Sequence, residues 1–189
     1  MTSLVNLNLI QETLKNNQFY AVYGKKTQIK DLNELSELER QSLKNFNCGH
    51  AYKYINQQAT KMIDQVKRRK SKGAYLCLND EVIGIAYYKT HHMRRELRCA
   101  LGFTPDQKLL ELQVFGISKM AGTCLLQGKG FGSFFLQCLL DSLECNCTGS
   151  GSFYGIILHP IDDRAVSFYE KQGFIQNPYR SEMIYLLDI

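Results

Sequence analysis

The chain lacks the segments that would direct it into or across a membrane. Its 189 residues contain no run of about 18 apolar residues, the length that a transmembrane helix requires. The first residues, MTSLVNLNLIQETLKNN, have no basic start, sustained apolar stretch or small-residue cleavage site, so we expect no secretory signal. Internal repeats, low-complexity tracts and linkers rich in proline, glycine or serine are also missing. We therefore expect one soluble domain over 1–189, with 1–18 as a helical extension.

The number and spacing of the cysteines argue against disulfides and against a metal site. There are seven of them, an odd number, mostly inside apolar segments, where a free thiol behaves as a small hydrophobic group. Free thiols indicate a reducing compartment, so we expect a cytoplasmic protein. The pair Cys145 and Cys147 has no second cysteine or histidine pair at zinc-finger spacing, and we expect no metal.

An excess of acidic residues is absent too, since the net charge is +5. A mildly basic chain favours an anionic ligand, which can be a phosphorylated cofactor, a nucleic acid or an acidic protein. The charge is too small to choose among these classes.

Hydrophobic patterning predicts helices early in the chain, then a hairpin, then alternating strands and helices. Asn79-Asp80 is the predicted hairpin turn, and Asp31 is the predicted cap of a helix that carries Leu32, Leu35 and Leu38 on its apolar face. The predicted helices are 7–16, 31–43, 52–70, 130–145 and 162–172, and the predicted strands are 19–24, both arms of the 73–92 hairpin, 108–118, 152–159 and 182–189. This order predicts an α/β or α+β fold built on one sheet.

Three glycines, Gly128, Gly130 and Gly132, stand between a predicted strand and the predicted helix 130–145. A helix N-terminus presents N–H groups without helical partners and a partial positive charge, and glycines let an anion come close to them. The pattern is not a Walker A loop, because Thr123 stands where its first glycine belongs. The dinucleotide pattern G-x-G-x-x-G also fails, from either starting glycine. An ordinary glycine-rich turn remains the alternative to a phosphate site.

What fits is Q-x-x-G-x-G, at Gln127, Gly130 and Gly132, followed on the next predicted strand–helix unit by DDRAVSFYEKQGF at 162–174. Together these motifs resemble the GNAT family of acetyl-CoA-dependent N-acetyltransferases, closely over roughly 108–188. The resemblance implies one mixed, largely antiparallel twisted sheet of about six or seven strands flanked by helices. It also implies that the central strands, 108–118 and 152–159, splay apart.

The resemblance further implies a site for acetyl-CoA, with amides around 127–133 on the pyrophosphate and the backbone of Phe115 and Ile117 along the pantetheine arm. The Ile117 amide would be the oxyanion donor, unless the strand is plain core with Gly116 as a packing glycine. The implied cofactor-binding residues are Phe115, Ile117, Gln127, Gly128, Lys129, Gly130, Gly132, Ser133 and Asp162. Asp162 departs from the family's usual asparagine, and a helix N-cap is its alternative role.

For catalysis, Tyr169 matches the family's tyrosine that protonates the leaving thiolate, and an aromatic core anchor is its alternative role. Glu111 matches a glutamate that serves as general base in lysine-acetylating branches, unless it only faces water at the strand end. His159 is the other candidate base, with a structural role as its alternative. Many members of the family rely on water alone.

The acceptor stays open. FNCGHAYKYINQQA at 46–59, with FYEKQGFIQNP at 168–178, is similar to a bacterial GNAT branch that includes toxins of toxin–antitoxin pairs, which acetylate aminoacyl-tRNA. Basic residues in 67–72, with Arg94, Arg95 and Arg98, would contact tRNA phosphates, or they form a solvated surface. We expect a small amine or a protein amine as acceptor, with aminoacyl-tRNA as the alternative. A non-catalytic coenzyme-A sensor is a second alternative, and a homodimer is an open option.

Overall fold

The computed structural model describes residues 27–49, 56, 63–68, 71–100, 102, 113–128, 130–147, 153–178 and 180–186. The strands are β1 Thr27–Lys30, β2 Lys72–Leu78, β3 Glu81–His92, β4 Gln113–Gly122, β5 Phe153–Leu158, β6 Ile175–Gln176 and β7 Met183–Leu186. The helices are α1 Glu37–Lys44, α2 Arg95–Ala100, α3 Phe131–Cys147 and α4 Asp163–Glu170, and a short 3-10 helix covers Cys124–Leu126. The predictions for 7–16, 19–24, Glu111 and Lys129 lie outside the described residues.

The strands form one seven-stranded sheet in the order β1-β2-β3-β4-β5-β7-β6. β4 and β5 run parallel, whereas β1 with β2, β5 with β7, and β6 with β7 pair antiparallel. The predicted fold class, a mixed and mostly antiparallel sheet flanked by helices, is confirmed. The register of β4 with β5 is irregular between Gln113 and Val114, and it ends with Ile117 opposite Leu158. β4 itself continues to Gly122, so the predicted strand 108–118 ended too early.

Contacts divide the chain into two compact units. The first unit runs up to Tyr87 and includes Lys119–Ser142, and the second consists of Tyr88–Ser118 with the chain from Leu143 onward. The first therefore contains β1, β2, α1 and the start of α3, and the second contains α2, β5, α4, β6 and β7. A single domain over 1–189 stays a prediction.

The hairpin of β2 and β3 turns where the sequence predicted. Asn79 and Asp80 have φ angles of 48° and 64°, the left-handed conformation that a two-residue hairpin turn demands at both positions. The apolar residues of these strands and of α1 form the core of the first unit. Its buried members are Leu32, Leu35, Leu43, Tyr75, Cys77, Val82, Ile85 and Tyr87.

The predicted start and face of the early helix were wrong. α1 begins at Glu37, with Ser36 as its N-cap: the Ser36 Oγ accepts the Glu39 N–H, and the Glu39 carboxylate accepts the Ser36 N–H. This capping box satisfies N–H groups at both positions, whereas the Asp31 carboxylate accepts backbone N–H groups in a separate turn. Because the helix starts later, Leu38 is 61% exposed rather than in the core.

The second unit is built around the two parallel strands. Its core cluster joins Met93, Leu97, Val114 and Ile184, with Tyr154 and Ile157 packed against it. The helices predicted over 130–145 and 162–172 are present as α3 and α4, and residues 63–67 are helical within the predicted 52–70. β6, two residues long, had no sequence prediction. No described helix is long and apolar enough to span a membrane.

Candidate active site

The glycine loop, residues 127–132, connects the end of β4 and its 3-10 helix to α3. Gly128 and Gly130 have φ angles of +73° and +77°, a left-handed conformation that residues with a Cβ rarely adopt. A Cβ on Gly128 would meet no atom within 4 Å, so this part of the loop faces open space. The two glycines are therefore required by the backbone, and the loop has room for a ligand beside it.

The N-terminus of α3 follows directly. The N–H of Phe134 donates to the Gly130 carbonyl at 3.2 Å, so the N–H groups of Gly132 and Ser133 come before the first such bond of the helix. The first turn of α3 holds no acidic residue, and the partial positive charge of the helix end is not neutralised there. This geometry suits an anionic group such as a phosphate.

A side-chain brace holds the loop in place. The Gln127 Nε2 donates to the carbonyl oxygens of Cys48 at 2.7 Å and Gly122 at 3.3 Å. The Nε2 group of the Gln127 side chain is thus engaged with the protein. In the sequence, 46–49 stood out only as part of the 46–59 match to the toxin branch, whereas in the structure the Cys48 carbonyl supports this loop.

Close packing fixes the start of α3 against the end of β4. Phe131 is 2% exposed, and a Cβ on Gly122 would lie 2.4 Å from its ring. Phe135 in the next turn meets Gly84 of β3 in the same manner, at 3.0 Å from the position of a Cβ. Two glycines on neighbouring strands therefore let the helix approach the sheet, and the orientation of its N-terminus follows from this packing.

The middle of β4 combines aromatic anchoring with one close approach. Phe115 stacks on Phe153 with ring centroids 4.2 Å apart and meets Tyr88 edge-on at 5.7 Å. The Phe115 side chain therefore packs in the core, and the backbone of Phe115 is left for the predicted pantetheine contact. Ile117 is also buried, at 6% exposure.

Gly116 provides the close approach that its position in a strand indicated. A Cβ there would lie 2.5 Å from Cδ2 of His91, so the imidazole sits directly over this glycine. Partial burial lowers the pKa of His91, with Lys89 and Arg94 lowering it further and Glu182 acting in the opposite direction. Sequence analysis did not select His91, and no local signal marks it.

Tyr169 is held by the C-terminal cap of α4. The N–H of Phe174 donates to the Tyr169 carbonyl at 3.1 Å and that of Gly173 to Glu170 at 3.0 Å, the bonding of a Schellman motif with Gly173 at φ +89°. The Tyr169 and Phe174 rings are 5.4 Å apart, and Phe174 in turn contacts Tyr185 at 5.2 Å. This aromatic chain fixes the position of the phenol.

Burial raises the pKa of Tyr169 to about 12, because the phenolate would lose hydration. The hydroxyl consequently keeps its proton at neutral pH and can donate it. The packing fits both roles considered for Tyr169, since an acid also needs a fixed ring.

Asp162 caps α4. Its Oδ1 accepts the N–H of Ala165 at 2.8 Å and its side chain is exposed, so the N-cap role considered from the sequence is the one that the structure contains. An open groove along the same helix is lined by Asp163, Arg164, Ser167, Phe168 and Lys171.

A polar cluster in the second unit went unnoticed in the sequence. Glu182 is 3% exposed, and its carboxylate accepts hydrogen bonds from Arg94 Nη1 and Asn177 Nδ2, both at 3.2 Å. His159, the sequence candidate for a base, places Nε2 at 3.6 Å from the same carboxylate. No group of metal-ligating side chains occurs within the described ranges.

No family model matches the chain, and no curated protein sequence matches it. Solved structures do. A tyrosine-to-phenylalanine mutant of the toxin AtaT, bound to the C-terminus of the antitoxin AtaR and acetyl-CoA, matches with a TM-score of 0.66 at 17% identity, over 85% of this chain and 93% of that chain. AtaT complexed with acetyl-methionyl-tRNAfMet matches with 0.63 at 17% identity, over 85% and 94%. A tyrosine-to-phenylalanine mutant of KacT matches with a TM-score of 0.63 at 16% identity, over 85% of this chain and 95% of that chain.

The chain has a GNAT-like fold. AtaT and KacT are GNAT-type toxins of toxin–antitoxin systems, which agrees with the resemblance found in the motifs of the sequence. At about 17% identity the likeness establishes the architecture of the GNAT-like chain. Its activity and its ligands have to be argued from its own residues.

Proposed function

We propose that the protein is an N-acetyltransferase that moves the acetyl group of acetyl-CoA directly to a primary amine. The observation that carries this proposal is the N-terminus of α3, opened by left-handed glycines and free of acidic residues in its first turn, within a GNAT-like fold. AtaT, which shares that fold, has been crystallised with acetyl-CoA. A bacterial cytoplasmic setting remains part of the same prediction.

The glycine loop suits the diphosphate of coenzyme A. The space beside Gly128 is open, and the N–H groups of Gly132 and Ser133 precede the helical ladder, so they would donate to phosphate oxygens. Lys129 was predicted to join them but lies outside the described residues. Asp162 would contribute as a helix cap, because its carboxylate already accepts a backbone N–H.

In the second unit, the backbone of Phe115 and Ile117 would bind the pantetheine arm, and the Ile117 N–H would stabilise the negative charge that develops on the acetyl oxygen. Tyr169 would donate its proton to the coenzyme-A sulfur as that atom leaves. A hydroxyl with a raised pKa is still protonated at neutral pH, which this role requires. Glu111 and His159 remain the candidate bases, besides water.

The direct test is an acceptor screen with acetyl-CoA that measures released thiol. Spermidine, amino sugars, lysine peptides and aminoacyl-tRNA would each be offered to the purified protein. Thiol release that depends on one acceptor, together with mass-spectrometric detection of the acetylated product, supports the proposal. Tight binding of acetyl-CoA without transfer to any acceptor would instead favour the coenzyme-A sensor.

Aminoacyl-tRNA is the second candidate acceptor, supported by a basic surface as well as by the fold. The basic surface consists of Lys89 in β3, Arg94 in the β3–α2 connection, and Arg95 and Arg98 in α2, and all except Arg98 are exposed. AtaT has been solved with acetyl-methionyl-tRNAfMet and with its antitoxin AtaR, so an antitoxin-like protein belongs to this second candidate as a partner. Phosphate contacts of this kind weaken steeply as salt rises.

Filter binding of charged tRNA over a range of salt concentrations tests the second candidate. We expect a linear fall of log affinity with log salt, and a smaller slope for Arg95→Gln, which removes an exposed charge of the basic surface. Salt-independent binding, or efficient acetylation of small amines alone, would return the basic surface to a solvated role.

A further inference from the structure

Glu182 is a buried carboxylate in the second unit with three groups around it. Arg94 and Asn177 donate to it at 3.2 Å each, and the His159 imidazole is 3.6 Å from its Oε1. A buried carboxylate is costly unless it is paired, and these partners come from separate segments of the chain. Glu182 therefore links three segments of the chain, which are the β3–α2 connection, the residue after β5 and the β6–β7 connection.

The carboxylate is buried, whereas the side chains of two of its partners are about half exposed or more. Glu182 is 3% exposed, whereas the side chains of Arg94 and His159 are 52% and 64% exposed. Each partner thus has one side against a fixed, buried carboxylate and the other side open to a ligand. His91 of β3 also interacts electrostatically with Glu182.

We propose that Glu182 is a positioning residue for His159, and that His159 accepts the proton of the acceptor amine. A movement of less than about 1 Å would bring Nε2–H of His159 to hydrogen-bond distance from the carboxylate. That bond would fix the tautomer and leave Nδ1 as the proton acceptor. Arg94 donates to the same Oε1. The inference rests on the proposed acetyl transfer.

The protons balance as follows. An acceptor ammonium loses one proton to Nδ1 of His159, which passes it to water. The freed amine nitrogen forms a bond to the acetyl carbonyl carbon, and the bond from that carbon to sulfur breaks. The second proton of the nitrogen leaves to water, while the sulfur takes a proton from Tyr169, which water then replaces. The net products are the acetylated amine, the free thiol of coenzyme A and one released proton.

The test follows the ring signals of His159 by NMR in three forms of the full chain. Glu182→Gln removes a negative charge beside the imidazole, so the ring signals are expected to titrate at lower pH than in the wild type. Arg94→Gln removes a competing positive charge, so the midpoint is expected to move higher. A carboxylate that only supports the fold would not produce opposite shifts from these two variants.

Activity supplies the second readout. The ascending limb of kcat/KM against pH, measured with a small amine, is expected to move in the same direction as the His159 titration in each variant. His92→Gln is the matched control, because His92 is an exposed histidine on the same strand as His91 and should leave both readouts unchanged. Arg94→Gln keeps the test usable if Glu182→Gln does not fold, since Arg94 is half-exposed.

The outcomes separate the inference from the proposed function. If the wild type transfers acetyl to no acceptor, the proposed function fails, yet opposite NMR shifts would still establish the Glu182–His159 coupling. If the His159 ring signals titrate alike in the wild type and both variants, the proposed coupling between Glu182 and His159 is wrong. If the titrations shift but the limb of the pH profile does not, His159 is not the base.

Discussion

The glycine loop, residues 127–132, and the α4–β7 region, residues 163–186, present different kinds of chemical groups. The glycine loop offers main-chain N–H groups, and its shape comes from Gly128 and Gly130 together with the Gln127 brace. The α4–β7 region offers ionisable side chains, of which Tyr169 and Glu182 are held by packing or by hydrogen bonds. We therefore expect a substitution in the loop to alter the affinity for acetyl-CoA. A substitution in the α4–β7 region should instead alter the rate of acetyl transfer and the dependence of that rate on pH.

The largest expected effect is that of Tyr169→Phe. Loss of the hydroxyl removes the proton donor for the sulfur, so turnover should fall on the order of 100-fold or more. Acetyl-CoA affinity by calorimetry should stay within about twofold, because the ring that packs on Phe174 is retained. Tyr185→Phe, in the same aromatic chain, is the control that removes a hydroxyl without removing the acid. Equal rates for wild type and Tyr169→Phe would leave Tyr169 as a core anchor.

A smaller effect is expected for Gly128→Val. The side chain would occupy the open space of the loop and force a β-branched residue to a φ of +73°, so acetyl-CoA affinity should fall about tenfold or more. Gly102→Val is the matched control, since Gly102 has a φ of +82° and also no neighbour within 4 Å of a Cβ. Both variants should lose thermal stability. If both also retain full affinity, the loop is an ordinary turn.

The smallest expected effect is that of Gln127→Ala. It removes two hydrogen bonds that brace the loop, to the Cys48 and Gly122 carbonyls, each worth about 0.5–1.5 kcal/mol. We expect acetyl-CoA affinity to fall about three- to tenfold with little change in kcat. Gln137→Ala removes an exposed bond to Asp141 within α3 and should change neither quantity. A kcat effect as large as that of Tyr169→Phe would contradict the division between the two regions.

Several elements followed from local chemistry that can be read along the chain. The hairpin turn at Asn79-Asp80, the cap of α4 at Asp162 and its end at Gly173 all depend on residues a few positions apart. The error at α1 has the same origin, because Asp31 with Glu34 and Ser36 with Glu39 both form reciprocal side-chain–backbone hydrogen bonds, and only the second pair opens a helix. The local sequence limited the N-cap to Asp31 or Ser36 but did not decide between these two residues.

The residues of the candidate site also fall into two groups, those that a local motif marks and those that no motif marks. Gln127, Gly130, Gly132 and Tyr169 were found because their motifs are contiguous, and the roles assigned to them remain predictions. Glu182 and His91 carry no motif, and their significance depends on what lies beside them. Glu182 meets Arg94 from 88 positions away, and His91 lies on Gly116 across neighbouring strands.

The sequence by itself determined the fold class, the place of the glycine loop before α3 and the end of α4 around Tyr169, because turns, caps and periodicity act over a few residues. Only the tertiary structure decided that Gln127 is braced by Cys48, that β4 extends to Gly122 and that one buried carboxylate holds Arg94 near His159. These contacts depend on strand order and packing, which bring distant residues together only after the sheet has formed.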